Sequence, residues 1–247
     1  MKIITAILFF AYISSAGVFA ESACPDEIMK QVDAQRSPDT ARSRMTMRIY
    51  GTLDASEHDR EIRLISHARG LDDSLIEFVS PRSITGLRVL DTAGTIRVFF
   101  PSTGRVRNIG GAGRSGSVGG VGGDFSYEDM GGAGFTDDYK SFTLIEDLSD
   151  KWIISGIPQS SDSRYTRLYF HIDRELYIPV RIDYYDDDGR IKQLDASRIQ
   201  NIGGRNVATH LVMRNFSDNS RTEIRMHDVE WDIPLSSDLF HPNRFHR

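Results

Sequence analysis

Cysteine is almost absent from this chain of 247 residues, which contains only Cys24. A lone cysteine cannot form an internal disulfide, so the stability of the fold must come from its core. Two interpretations of Cys24 stay open. It is an ordinary thiol near the start of the chain, or it is a lipid-modified terminus that anchors an exported protein to a membrane. The preceding residues 21–23 supply small side chains next to the cysteine, but Glu21 stands where an apolar residue is expected.

Sequence signatures of catalysis and of cofactor binding are also missing. The chain has no HExxH or Cys/His metal pattern, no GxSxG and no GxxxxGK[ST]. Residues 111–116 match GxGxxG, but glycine follows them instead of the helix whose N-terminus would hold a pyrophosphate, which favours a flexible loop. The acidic turn at 186–189 lacks the later ligands of a calcium loop. We therefore predict no catalytic residue, no metal, no cofactor and no enzymatic activity.

Long hydrophobic runs are confined to the first twenty residues. Lys2, an apolar stretch at 3–13 and the small-residue site at 18–20 have the pattern of a signal peptide. We predict that residues 1–20 are a signal peptide for export to the periplasm and that residues 21–247 form a single domain with no stable membrane span.

Excess positive charge is absent as well. The 30 lysines and arginines are outnumbered by 35 aspartates and glutamates. No basic cluster is interleaved with aromatic residues, as a nucleic-acid surface would require. Nucleic acid is therefore excluded as an expected partner.

Alternation of apolar and polar residues is the main pattern that is present. Residues 25–36 predict one amphipathic helix, and strand patterns separated by Gly, Pro, Asn and Asp turns dominate after it. A change of phase near His227 predicts a β-bulge in the last strand. We predict a mainly β fold, an unclosed antiparallel β-barrel or half-barrel of about ten or eleven strands with short covering helices.

A sheet that curls with few helices to cover it must fill its interior with side chains or hold a ligand. An ordinary packed core explains each inward apolar residue singly, whereas the architecture favours a pocket for apolar cargo. The candidate lining residues of this lipid-binding cavity are Met47, Ile49, Leu64, Phe78, Val98, Trp152, Ile154, Phe170 and Tyr184.

Glycine is concentrated in one segment. Residues 104–134 hold 12 of the 21 glycines and include an aromatic and acidic block at 124–129. Such a loop in an otherwise regular protein often covers a site. We predict that Phe125, Tyr127 and Met130 form part of a lid.

The run from residue 101 to 107, PSTGRVR, and the block GDFSYED at 123–129 resemble the outer-membrane lipoprotein-sorting protein family. That family is related to the periplasmic lipoprotein carrier LolA. Further similarity lies in YIPVR at 177–181 and DLF at 238–240, although the loop before Asp124 is longer and richer in glycine here. The resemblance implies an unclosed antiparallel barrel whose apolar concave face is covered by short helices.

The resemblance also implies a periplasmic carrier for acylated lipoproteins or lipids, which works between an inner-membrane donor transporter and an outer-membrane acceptor. Two other functions stay open. The protein could be a periplasmic adaptor subunit of an inner-membrane transporter, with a merely packed core, or a hydrolase of an envelope lipid or glycan.

Overall fold

A computed structural model describes residues 24–130 and 134–247. The predicted signal peptide at 1–20 lies outside the described residues, and Cys24 is an exposed free thiol directly before the first helix. Two α-helices and thirteen strands follow in chain order. They are α1 (Pro25–Arg36), β1 (Ala41–Tyr50), β2 (Arg60–Arg69), β3 (Asp73–Ser80), β4 (Arg88–Thr92), β5 (Thr95–Phe100), β6 (Arg105–Ile109), α2 (Phe135–Asp138), β7 (Tyr139–Asp147), β8 (Lys151–Pro158), β9 (Arg167–Asp173), β10 (Pro179–Asp186), β11 (Gly189–Ile202), β12 (Arg205–Asn215) and β13 (Ser220–Trp231).

All thirteen strands form one antiparallel sheet in the order β6-β5-β4-β3-β2-β1-β13-β12-β11-β10-β9-β8-β7. Strands that follow each other in the chain pair with each other, except β6 and β7, which are the two edges of the sheet. The first and last strands, β1 and β13, also pair with each other. The predicted mainly β, unclosed antiparallel fold with short helices is therefore confirmed, but about ten or eleven strands is too low a number. Strand β7 escapes prediction because only Tyr139 in it is buried and two register shifts interrupt its pairing with β8.

The predicted bulge in the last strand is present. Arg44 pairs with Asp228 and Met45 pairs with Met226, which leaves His227 as the extra residue. A bulge reverses the side-chain phase of one strand relative to its partner. The two phases of the apolar pattern in β13 therefore both belong to one continuous strand.

Helix α1 begins and ends as its sequence predicts. Pro25 occupies the first turn, where its missing N–H has no cost, and two acidic side chains there favour the positive end of the helix dipole. The apolar side chains Ile28, Met29 and Val32 are buried against the sheet. Helix α1 thus covers the same face of the sheet that carries the main core.

The core lies mainly on the face of the sheet that the helices cover, and a smaller one lies on the other face. Strand β3 shows the division, since Ile76 and Phe78 join the main core whereas Leu75 joins the smaller one. The smaller core is completed by Phe240 and Phe245 from the C-terminal segment. We call the two faces the inner face and the outer face.

A cavity between the helices and the second half of the sheet

A cavity of about 380 Å³ opens on the inner face of strands β9–β13. Helices α1 and α2 and the end of the glycine-rich segment form its other side. We call this cavity the trough. Its apolar lining consists of Phe125, Phe135, Leu168, Ile178, Pro179, Ile182, Leu194, Ala196, Val207, Ala208, Leu211, Met226 and Trp231.

The apolar floor follows from strand alternation. In β10, Ile182 and Tyr184 face the trough while Arg181 and Asp183 pair with each other on the outer face. Small side chains leave the space open, because Ala196 and Ala208 stand where larger residues would fill the interior. A volume near 380 Å³ lies in the range of small-molecule sites, roughly 300–1,000 Å³.

One wall of the trough is polar and titratable. Burial raises the pKa of the Glu128 carboxyl, partly opposed by a hydrogen bond from Ser163, and burial also raises the pKa of Asp138. Burial raises the pKa of the Tyr139 and Tyr184 hydroxyls as well. Burial of this wall therefore disfavours the charged forms of these four side chains.

Arg36 from the end of α1 also borders the trough. Surrounding protein lowers its pKa, and Asp33, 3.4 Å from its guanidinium, opposes that shift. The guanidinium lies 4.0 Å from the centre of the Phe135 ring, yet about a third of the side chain, 34%, still contacts solvent. Arg36 thus stands at the rim of the opening, where one side of it packs on Phe135 and the other side reaches solvent.

Asp33 connects the two helices. Its carboxylate accepts hydrogen bonds from the backbone N–H of Phe135 at 2.8 Å and of Thr136 at 2.9 Å, and from the Thr136 hydroxyl at 2.8 Å. The two N–H donors belong to the first residues of α2, whose backbone N–H groups a carboxylate caps well. Asp33 therefore fixes α2 and its Phe135 side chain at the mouth of the trough.

The glycine-rich segment has a fixed path over the inner face. Val118 and Val121 are buried in the main core, and the Arg60 guanidinium donates to the carbonyl oxygens of Gly120 and Val121. Asp124 is buried and accepts hydrogen bonds from Thr222 in β13 at 2.7 Å and from Ser220 at 2.5 Å. We call residues 111–130 the cover.

The cover ends on a buried ion pair. Lys192 Nζ lies 2.9 Å from Asp129 Oδ2 and donates to the Tyr165 hydroxyl, which itself donates to Asp129 Oδ1 at 2.7 Å. The side chains of Lys192 and Asp129 are 5% and 1% exposed. A closed network of this kind holds the end of the cover against β11.

The structure places the residues that the sequence singled out in two groups. Tyr184 of the predicted cavity and Phe125 of the predicted lid both line the trough. Tyr127 and Met130 belong to the cover and pack on the main core. The other eight predicted cavity residues lie in or against that core and do not line the trough: Met47, Ile49, Leu64, Phe78, Val98, Trp152, Ile154 and Phe170.

Sequence reasoning missed much of the actual lining. Leu194, Leu211, Met226 and the small residues at 196 and 208 come from the last three strands. The signal that could have indicated this lining is alanine at inward positions of long strands, because so small a side chain leaves space inside the sheet. Gln35 and Arg36 gave no such signal, because they stand on the polar side of the helical pattern.

The histidines on the strands do not converge. His171 lies 3.0 Å from Asp183, His210 lies 3.4 Å from Glu223, and neither approaches the trough. Across residues 24–130 and 134–247 no group of three or more His, Cys, Asp or Glu side chains is arranged to hold a metal ion. Within the same ranges no helix has the length and apolar composition needed to cross a bilayer.

The fold and the trough define a class of protein: an unclosed antiparallel sheet whose inner face, under two short helices, holds an apolar cavity. A family described as "uncharacterized protein" matches residues 70–247, and the chain belongs to that family. No curated protein matches the sequence.

Solved structures share the fold over nearly the whole chain. An outer membrane lipoprotein-sorting protein domain from Vibrio parahaemolyticus is 24% identical with a TM-score of 0.77, covering 90% of this chain and 97% of that one. A DUF1329 family protein from Desulfovibrio piger is 22% identical with a TM-score of 0.77, covering 88% and 95%. A LolA superfamily protein from Nitrosomonas europaea is 18% identical with a TM-score of 0.73, covering 90% and 99%. The resemblance to the lipoprotein-sorting family and to LolA is thus confirmed for the fold.

Proposed function

We propose that this protein is a periplasmic carrier, without catalytic activity, that holds acyl chains of lipoproteins or lipids in the trough for outer-membrane sorting. The observation that carries the proposal is the apolar cavity of about 380 Å³ beneath the end of the cover. The lipoprotein-sorting and LolA superfamily neighbours support it through a shared fold. Cargo would arrive from an inner-membrane donor and leave to an outer-membrane acceptor.

The binding energy would come from apolar burial. Each methylene removed from water contributes about 0.8 kcal/mol, so a long acyl chain gains roughly 10 kcal/mol before the costs of ordering are subtracted. The chain would lie on Leu194, Leu211 and Met226, in the space left by Ala196 and Ala208. Tyr184 and the other predicted cavity residues would shape this site from the core, with longer cargo reaching them when the cover shifts.

Phe125, Tyr127 and Met130 would act as the lid. Phe125 supports this role because it belongs to the cover and lines the trough. Tyr127 supports it because its hydroxyl accepts a hydrogen bond from Gly119 at 3.0 Å, which ties two parts of the cover together. Phe125→Asp should therefore speed the release of a fluorescent acyl probe, and an unchanged release rate would remove the lid assignment.

Filling the trough tests the proposal directly. Ala208→Trp places an indole in the cavity, so affinity for a fluorescent acyl probe should fall by about tenfold or more. Thr143→Trp, at an exposed position of β7, adds the same side chain away from the trough and should bind as the unaltered protein does.

Extraction of the purified protein with solvent, followed by mass spectrometry, identifies natural cargo. Bound phospholipid or acylated peptide agrees with a carrier. Equal probe affinity in both tryptophan variants, with no extractable lipid, would contradict the proposal. Stable capture of a membrane protein would then favour the adaptor, and turnover of an envelope lipid the hydrolase.

A further inference from the structure

Strand β6 is an open edge of the sheet. It pairs only with β5, and its first four residues, 105–108, are exposed. In an antiparallel strand, alternate residues direct their N–H and C=O groups away from the neighbour, so about half of the backbone groups of β6 have no partner within the sheet. Such a row of groups can pair with an added strand.

The other edge of the sheet is irregular, whereas β6 is regular. Strand β7 has two register shifts, and Ser141 in it has a φ of +55°. Irregularities of this kind bend an edge strand away from further pairing. The pairing of β6 with β5 runs without a shift from Ile109 to Arg105, and the strand contains no proline.

Four arginines surround the β6 edge. Arg105 and Arg107 alternate with Val106 and Asn108 along the strand. The two arginines therefore project from one face of the sheet, and Val106 and Asn108 project from the other. Arg97 and Arg247 line a groove of about 480 Å³ on the face that carries Val106 and Asn108. We call these four residues, Arg97, Arg105, Arg107 and Arg247, the arginine edge.

Within residues 24–130 and 134–247, none of these four arginines forms an ion pair with an Asp or Glu side chain. Arg97 donates to the Thr92 hydroxyl, and Arg107 lies over the Phe100 ring. Several arginines elsewhere on the sheet do have acidic partners, as in the pairs Arg42–Glu230, Arg181–Asp183 and Arg214–Asp195. At the β6 edge, arginines without an acidic partner therefore lie beside backbone groups without a partner in the sheet.

An apolar contact is available between these charges. Val106 is 37% exposed, and its neighbour across the sheet is Phe99 of β5. An added strand presents alternate side chains to the two faces, so its apolar residues could pack on Val106 while its acidic residues meet Arg105 and Arg107 on the opposite face.

We propose that β6 binds an extended acidic segment of a partner protein, in which acidic and apolar residues alternate, as an additional strand of the sheet. A second copy of this chain fits less well, because edge-to-edge pairing of two β6 strands would bring Arg105 and Arg107 against the same residues of the other copy. This surface lies on the first half of the sheet and shares no residue with the trough.

A peptide of alternating Glu and Val, labelled with a fluorophore, is the probe. Its anisotropy should rise with the full protein at low salt, and binding should weaken with added salt. Affinity for the Arg105→Glu/Arg107→Glu variant should be lower by at least about tenfold. Arg164→Glu/Arg167→Glu makes the same change of charge at exposed positions outside the edge and should retain binding.

The same peptide with N-methylated valines separates strand addition from simple charge attraction. It keeps every side chain but loses donors needed for pairing, so it should bind at least about tenfold more weakly. Hydrogen exchange of amides 105–109 should slow with the unmethylated peptide alone.

Three results would overturn the proposal. They are equal binding of both peptides, unchanged affinity in the Arg105→Glu/Arg107→Glu variant, or self-association of the protein through β6 in place of peptide binding. Melting temperatures of all variants establish that each remains folded. The acyl-probe affinity serves as an independent check on the trough.

Discussion

Lys192 is a buried lysine, and Asp129 is its one ion-pair partner among the residues that the structure describes. Its ammonium is held by Asp129 and the Tyr165 hydroxyl, with 5% of its side chain exposed. Removing one member of a buried pair leaves the other charge without compensation, which costs far more than losing an exposed pair. The pair also joins the cover to β11, so its loss affects the position of the cover.

Lys192→Met should therefore lower the free energy of unfolding by about 3–5 kcal/mol, measured by urea denaturation. Lys151→Met removes a half-buried lysine that lies 3.5 Å from Asp150 in a solvent-accessible pair, and it should cost at most about 1 kcal/mol. The double variant Lys192→Met/Asp129→Leu should be more stable than Lys192→Met alone, because it leaves no buried charge. If the two lysine variants lose equal free energy of unfolding, burial of the Lys192–Asp129 pair does not explain the loss in Lys192→Met.

At the scale of elements, the glycines of the cover allow close approach to the sheet. Gly123 has a φ of +83°, and a Cβ there would lie 2.9 Å from the Thr222 hydroxyl oxygen and 3.2 Å from Ile49 Cγ1. Glycine at this position lets Asp124 reach β13, where it accepts its hydrogen bonds. The same composition that suggested a flexible flap thus builds a segment fixed against the core.

Gly123→Ala should destabilise the protein by about 2–4 kcal/mol, since it adds a steric clash to the strain of a left-handed backbone. Gly104 provides the matched control, with a φ of +64° and no atom within 4 Å of a built Cβ. Gly104→Ala should therefore cost only about 1–2 kcal/mol of backbone strain. Thermal unfolding of both variants measures the difference. Equal costs would mean that close packing of the cover at Gly123 has no energetic weight.

At the scale of the whole molecule, the trough joins an apolar floor from the last five strands to a titratable wall from the helices and the cover. The pKa of Glu128 is raised above 4.5 and that of Asp138 above 3.8 by burial. A carboxyl whose pKa is raised in the fold opposes folding at neutral pH, and that opposition disappears as pH falls through the raised pKa. Protonation also lowers the cost of removing water from the wall when an apolar chain binds beside it.

Binding of an uncharged acyl probe should therefore strengthen, by roughly twofold to tenfold, as pH falls from neutral toward the ordinary carboxyl range. Because the probe has no titrating group of its own, any change of its affinity with pH comes from the protein. Glu128→Gln/Asp138→Asn should bind with an affinity that no longer depends on pH. Asp187→Asn/Asp188→Asn, at exposed positions of the turn between β10 and β11, should keep the dependence. Weaker binding at lower pH would contradict the role given to the wall.

Local sequence was enough for the elements and the class of fold. The helix at 25–36, the alternation of the strands and the bulge at His227 all depend on neighbouring residues and on which face is buried. Strand β7 could not be predicted, because an exposed edge strand with irregular pairing has neither alternation nor a continuous apolar run. The resemblance in the central block correctly indicated the fold shared with the lipoprotein-sorting domain.

The sequence by itself determined an antiparallel sheet with one apolar face, because burial of alternate side chains is a property of each strand alone. Only the tertiary structure decided where that face is filled and where it stays open. Residues such as Phe78 and Phe170 pack into a solid core, while strands β11 and β12 place Ala196 and Ala208 opposite the helices and leave the trough. Unfilled volume depends on which side chains meet across the fold, and those distances are set by the path of the whole chain.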